Sequence, residues 1–299
     1  MCLKRRSDFV LTKQTIQQKI EMTFNQLSKG QQKAATFILH NMTYVGVHAA
    51  SEVGKQAQVS ETTVIRLCYA LGLSGYAQLQ KEITTYLFEQ NNKTSSLKNY
   101  LTNKQSLQNT TKQYETLMIG DAKRVMHVAE QISEADFSVT TQHLHHCQTL
   151  YIVGFGASYL AAQWMHFAIG LLRPRIVLVP HDPSSFVRVL QEMTSADMLV
   201  VFSFHRYFKE TVLIAKEAKS KGVEVVAITD APISPVVPHA TICFVQSFTG
   251  VSTIDTMPTI ISFINALIAG MTTQDPTYYE QQRLIFDEYT NVFMTDRWS

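Results

Sequence analysis

The sequence predicts an all-α domain followed by an α/β domain, a doubly wound, flavodoxin-like three-layer structure on a parallel five-stranded sheet. Three observations carry this. The first ninety residues hold apolar stripes at helical spacing and no alternating or fully apolar strand runs. From Leu150 onward, short runs apolar at every position recur between helical segments, as strands covered on both faces do. The 299 residues exceed one ordinary domain, and a hydrophobic content of 45% supplies cores for two. The expected boundaries are 1–90 for the helical domain, 91–113 for a linker and 114–299 for the α/β domain with its C-terminal helix.

Taken in order, Ser28 is a good N-cap for a helix through His40, with Ala34, Ala35, Ile38 and Leu39 facing inward. Three short helices are expected after it, ending near Phe88. Among them, Val53, Ala57, Val59, Val64, Leu67, Cys68 and Leu71 form one apolar set across two helices and a turn. Gly54 falls where those helices must approach closely, and Ser60 caps the second. The opposite face of that helix presents Thr62, Arg66 and Tyr69, flanked by Thr63 and Ile65. One fixed cation among hydroxyls suits base edges and phosphates in a major groove, so Ser60, Thr62, Thr63, Arg66 and Tyr69 are the candidate DNA-binding residues. The same geometry also occurs in helical bundles that bind nothing. Gln58 stands at the turn position that favours glycine, at a cost of about 1 kcal/mol for a left-handed backbone.

The run Asn91-Asn92-Lys93-Thr94-Ser95-Ser96 is a polar break, and 103–113 is again poor in apolar residues, with a helix fragment around Leu97–Leu101. Helices are then expected at Tyr114–Ile132 and Asp136–His146. Strands follow at Leu150–Phe155, Ile176–Val179, Met198–Ser203, Val223–Thr229 and Thr241–Val245. Between them lie helical segments Ala157–Leu172, Pro183–Met193, Phe208–Lys221 and a short Ser234–His239. An apolar helix Thr259–Met271 and a last helix Pro276–Tyr289 complete the chain. The last helix packs either on its own domain or on a partner subunit.

In such sheets ligands bind beyond the carboxyl ends of the strands. There Gly154-Phe155-Gly156-Ala157-Ser158-Tyr159 joins a strand to a helix, and its glycines let backbone approach a ligand while the helix N-terminus offers N–H groups to an anion. Three readings stand: a phosphate or carboxylate site, a turn using glycine for geometry alone, and a dinucleotide site. Against the last, Tyr159 replaces the third glycine, and Asp182 is better explained as a helix N-cap before Pro183.

The stretch Val59-Ser60-Glu61-Thr62-Thr63-Val64-Ile65-Arg66-Leu67-Cys68, with Leu71-Gly72-Leu73-Ser74-Gly75-Tyr76, resembles the N-terminal domain of the RpiR (MurR/RpiR) family of bacterial transcriptional regulators. That family carries a C-terminal SIS (sugar isomerase) domain, so the resemblance spans nearly the whole chain and implies that the α/β domain is SIS-like. It implies that the Gly154 loop is the first sugar-phosphate-binding element. The second, a serine-rich S-x-S-G-x-T loop, is altered here: Ser203 is retained, but His205, Arg206 and Phe208 replace its second serine, glycine and threonine. Arg206 would hold a carboxylate or phosphate bidentately, or else face solvent or pair with an acid across a subunit contact. Asp255 either caps the following helix or faces the ligand. The candidate effector set is therefore Gly154, Gly156, Ser158, Ser203, His205, Arg206 and Asp255.

Charge agrees in sign with a nucleic-acid contact at the N-terminal end: residues 1–90 carry ten Lys/Arg against six Asp/Glu, and 91–299 carry sixteen against eighteen. Solubility explains the same numbers. Four scattered cysteines (Cys2, Cys68, Cys147, Cys243) show no paired spacing, and Cys2–Leu11 is basic and polar rather than a leader, so a reducing cytoplasm is expected. The sequons at Asn92 and Asn109 then read as chance. The apolar run Ile260–Met271 is too short to span a bilayer, and no membrane partner is expected. His143, His146 and Cys147 share a helical face, but no further ligand follows at a recognised spacing, so no metal and no cofactor are expected.

The sequence thus reads as a non-enzymatic regulator, binding a double-stranded operator as a homodimer or dimer of dimers and responding to a small anionic metabolite. Its rivals are a phosphosugar isomerase-type SIS enzyme with an accessory N-terminal domain, and a pure dimerisation module.

Overall fold

The computed structural model describes residues 15–93, 96–105, 107, 111–246 and 252–293. The basic stretch Cys2–Leu11 and the sequon residue Asn109 lie outside them. The chain divides into two compact units after Lys93.

The first unit is helical: α1 Ile16–Thr23, α2 Lys29–His40, α3 Met42–Val47, α4 Ala50–Gln56, α5 Glu61–Ala70 and α6 Tyr76–Lys93. Ser28 opens α2 with a reciprocal cap, its Oγ accepting from Gln31 N–H while Gln31 Oε1 accepts from Ser28 N–H at 2.9 Å. Ile16, Ile20, Ile38, Val45, Val53, Val64, Leu67, Cys68, Leu79 and Ile83 form one core. Each such side chain, fully buried, contributes about 1.5–3 kcal/mol. After α2 come three short helices and then a long one, α6, of 18 residues rather than a short helix ending near Phe88. Tyr76 anchors its start by donating to the carbonyls of His48 (2.8 Å) and Val45 (3.2 Å). The first residues of the expected break, Asn91-Asn92-Lys93, contain no proline or glycine, and the helix continues through them.

The second unit opens with α7 Ser96–Gln105, α8 Gln113–Gln131 and α9 Glu134–His146. The segment expected as a linker thus carries a helix longer than the predicted fragment, and α7 packs against a helix from the far end of the unit. Next come β1 Leu150–Val153, α10 Ala157–Gly170, β2 Ile176–Leu178, α11 Pro183–Glu192, β3 Met198–Ser203, α12 Lys209–Ser220, β4 Glu224–Thr229 and β5 Ile242–Val245. All strand pairs are parallel, in the order β2-β1-β3-β4-β5. Alternate residues feed two cores. Ile152, Val200, Phe202, Val226 and Ile228 meet α9, α10 and the last apolar helix on one face. Tyr151, Val153, Leu199, Val201, Val225 and Ala227 meet α11 and α12 on the other. The fold is the expected doubly wound three-layer one. Between Ser234 and His239 only a single 3₁₀ turn forms, Val237–His239.

That apolar helix, α13, spans Thr253–Thr272, starting six residues before the predicted Thr259. Ser252 caps it, and Pro258 is accommodated in its second turn at the loss of one backbone hydrogen bond. Its 20 residues are long and apolar enough to cross a membrane, unlike the twelve-residue run in the sequence. Its inner face, with Ile260, Phe263, Ile264, Leu267 and Met271, is buried in the sheet core. The closing helix, α14 Pro276–Phe293, packs Tyr279 into the same core and bonds its hydroxyl to His145 Nδ1 at 2.9 Å, while Leu284, Ile285 and Phe286 stay exposed.

Candidate functional site

In the first unit, α4, a four-residue turn and α5 build the predicted helix-turn-helix. A Cβ on Gly54 would lie 3.0 Å from Val59 O and 3.1 Å from Glu61 N, so the turn backbone lies against α4 where only glycine leaves room. Gln58 takes the left-handed conformation its position requires, φ +53°, and its Oε1 accepts from Lys33 Nζ at 2.9 Å. Ser60 caps α5, its Oγ accepting from Thr63 N–H at 3.2 Å and pairing with Thr63 Oγ1 at 2.9 Å. These two hydroxyls are tied to each other. Val64, Leu67 and Cys68 turn inward, whereas Thr62, Arg66 and Tyr69 are exposed on the other face.

In the second unit the strand order reverses between β1 and β3, the switch point at which such sheets open a crevice at their carboxyl ends. Gly154 and Gly156 shape the loop after β1. A Cβ on Gly154 would stand 2.5 Å from Ser158 O, and Gly156, at φ +58°, would place one 2.8 Å from Phe208 Cε2. Ser158 is buried, and its Oγ accepts from Phe204 N–H at 3.1 Å, stitching the loop after β1 to the loop after β3. Ser203 is buried as well, its Oγ without a hydrogen-bond partner among the described residues. Arg206 is exposed and holds φ +69°. It stands where the resemblance expects glycine, and it keeps glycine's backbone conformation.

Asp230, at the end of β4, organises the second loop by accepting from His205 N–H at 2.8 Å and Tyr207 Oη at 2.7 Å. Burial pushes its carboxyl pKa up, against the pull of those two bonds. Burial and the charge of Asp230 push the Tyr207 phenol up as well. An aromatic cluster surrounds the glycine loop: the Phe155 ring lies 4.6 Å from His181 and 5.8 Å from Phe208, and Tyr159 lies 4.1 Å from His181. His181 Nε2 donates to Gly154 O at 3.2 Å.

Gly154, Gly156, Ser158, Ser203, His205 and Arg206 thus gather on the two loops at the adjacent ends of β1 and β3. Asp255 is otherwise engaged, in the first turn of α13, where its carboxylate accepts from Lys104 Nζ and Ser252 Oγ, both at 2.8 Å. Ser252 holds the cap that was one of the two roles expected of Asp255. Burial raises the Asp255 pKa, and the bonds from Lys104 and Ser252 outweigh it, leaving the group below its ordinary value.

Asp182 caps α11 through Ser185 N–H, as its neighbour Pro183 suggested. His143, His146 and Cys147 go separate ways, to Glu224, the Gln142 carbonyl and Arg173. Among the described residues no three His, Cys, Asp or Glu side chains are grouped to hold a metal. Reading the sequence missed Asp230 and the covering ring of Phe208. Only the position of Asp230 at a strand end pointed to it.

Residues 14–90 match the helix-turn-helix domain of the rpiR family, and residues 143–270 match the SIS domain. An uncharacterized HTH-type transcriptional regulator of Haemophilus influenzae is 25% identical over 232 residues, 74% of this chain and 76% of that protein. The Vibrio vulnificus NanR protein, solved in complex with ManNAc-6P, superposes with a TM-score of 0.60 at 16% identity, covering 93% of this chain and 98% of NanR. The sugar isomerase domain of an RpiR transcription factor from Sphaerobacter thermophilus gives 0.52 at 20% identity, over 59% of this chain and 96% of that one. With both domains matched in the same order, the chain belongs to the RpiR family of transcriptional regulators, an N-terminal helix-turn-helix joined to a C-terminal SIS domain.

Proposed function

We propose that this regulator binds an operator through the outer face of α5 and releases or tightens it in response to a small anionic metabolite held at the ends of β1 and β3. The observation that carries the first half is the outward placement of Thr62, Arg66 and Tyr69 opposite a fully buried stripe. One face anchors the helix, and the other is left for base edges and phosphates. The second half rests on the switch-point crevice with Arg206 exposed beside it. NanR, of similar fold, is solved with a sugar phosphate, which supports an anionic effector here. A homodimer, or a dimer of dimers, places one α5 in each half of a palindromic site. The metabolite acts by binding one arrangement of the two DNA-reading heads more tightly than the other.

The test is selection of duplexes from a random pool by the full-length chain, followed by anisotropy titration of the selected site with and without candidate metabolites. A palindromic consensus whose binding changes with a metabolite, and no longer does so in Arg206→Ala, supports the reading. Failure to enrich any sequence refutes the DNA half. Turnover of aldose and ketose phosphates would favour the isomerase instead.

A further inference from the structure

We propose that Phe208 sets the ligand class of the strand-end site, closing the glycine loop to a phosphoryl group and leaving a carboxylate-bearing ligand, held by Arg206, as what the site accepts. This rests on the reading that the effector binds between the loops after β1 and β3, and it names the chemistry of that effector.

A phosphoryl group carries three oxygens and up to two charges, so its seat needs several converging donors. Here the donors of the glycine loop are engaged or covered. At the start of α10, Ser158 N–H donates to Phe155 O and Tyr159 N–H to Gly156 O, both at 3.1 Å. The Ser158 hydroxyl accepts from Phe204 N–H, and Ser158 is only 5% exposed. Ser203 is only 2% exposed. Across the crevice, α12 begins with Phe208 at its N-cap position and has no side-chain cap, so the cap position supplies no hydroxyl, and Thr211 in the first turn is only 2% exposed.

The Phe208 ring then occupies the space over Gly156, close enough that a Cβ there would meet Cε2 at 2.8 Å and Cζ at 3.2 Å. It is not a loose side chain on this face, for it stacks on Phe155, which in turn stacks on His181. Part of it stays open, with the residue 41% exposed. Two residues earlier, the exposed Arg206 brings a planar fork whose geometry matches the two oxygens of a carboxylate, needing neither loop hydroxyl nor helix end. The exposed part of Phe208 offers an apolar wall for the rest of such a ligand.

Inorganic phosphate, titrated by calorimetry into the full-length wild-type chain and into Phe208→Ala and Phe208→Ser, tests this, with circular dichroism as the fold control. The wild type is expected to bind phosphate at least tenfold more weakly than either variant. Phe208→Ser, which adds a capping hydroxyl to α12, should bind more tightly than Phe208→Ala. Equal affinity in the wild type and the folded variants overturns the proposal. Should both variants unfold, Phe208→Leu keeps apolar contact with Phe155 while removing the ring, and the same comparison decides.

A thermal-shift panel of small carboxylates and sugar phosphates on the wild type is the complement. Stabilisation by carboxylates that vanishes in Arg206→Ala supports the proposal; stabilisation by sugar phosphates and by no carboxylate overturns it. Calorimetry reads binding without DNA, so failure of operator selection would defeat the regulatory reading and leave this comparison intact.

Discussion

Arg66→Ala is expected to separate DNA recognition from folding. Arg66 is exposed and makes no hydrogen bond or ion pair among the described residues, so truncation removes no such bond there. Stability should move by no more than about 0.5 kcal/mol, as for surface positions generally. Operator affinity should fall by about 1–3 kcal/mol per recognition helix, a factor of roughly 5 to 150. If two α5 helices engage a palindrome, the loss is counted twice. Where Arg66 meets a phosphate rather than a base, the loss is uniform across sequences and the salt dependence falls by about one unit per contact. The adjacent Leu67 is the control: it is fully buried, and Leu67→Ala should cost about 2–5 kcal/mol in stability. Fluorescence anisotropy on the selected duplex at several salt concentrations, with a thermal melt of each variant, gives both numbers. An Arg66→Ala chain that melts like the wild type and binds with unchanged affinity and salt slope would remove α5 from the DNA interface.

Three further outcomes are expected. Ser60→Ala removes the cap from α5 and the partner of Thr63, and should destabilise the first unit by about 1 kcal/mol in a denaturant titration. Gly154→Ala drives a methyl into the Ser158 carbonyl 2.5 Å away, backbone that cannot step aside, and should cost about 1–3 kcal/mol or more while shifting Ser158 from Phe204, read as a lowered melting temperature. Asp230 holds its proton to higher pH in the folded chain than in the unfolded one, because burial raises its pKa. Its contribution to stability is thus fullest below the ordinary aspartate value of about 3.9 and declines as pH rises through the folded pKa. Stability measured against pH should show that decline in the wild type and lose it in Asp230→Asn; a decline persisting in the variant would point to another group.

Much of the fold was legible because it rests on local rules. The reciprocal cap of α2 follows from Ser28 and Gln31 three residues apart, and the five strands follow from runs with no polar face. Even the strained backbone of Gln58 follows from the length of the turn, which demands a left-handed residue whatever its identity. Boundaries were less legible wherever a residue that usually ends an element was tolerated. Pro258 sits inside α13 because only one bond is lost there, and the polar stretch near Asn91 continues α6 because it contains no true breaker.

The candidate site was legible as a set of residues and not as an arrangement. Position at strand ends marked Gly154, Ser158, Ser203 and Arg206, but the Ser158 hydroxyl bonds a backbone amide 46 residues away, and Asp255 is claimed by Lys104, 151 residues earlier. By itself, the sequence determined the two domains, the helix-turn-helix and the crevice, since periodicity, capping and turn geometry act between neighbours. Tertiary structure alone decided which hydroxyls remain free, where the Phe208 ring lies and which carboxylate is buried. Those outcomes depend on contacts between segments far apart in the chain, and such contacts exist only once the sheet has brought the loops together.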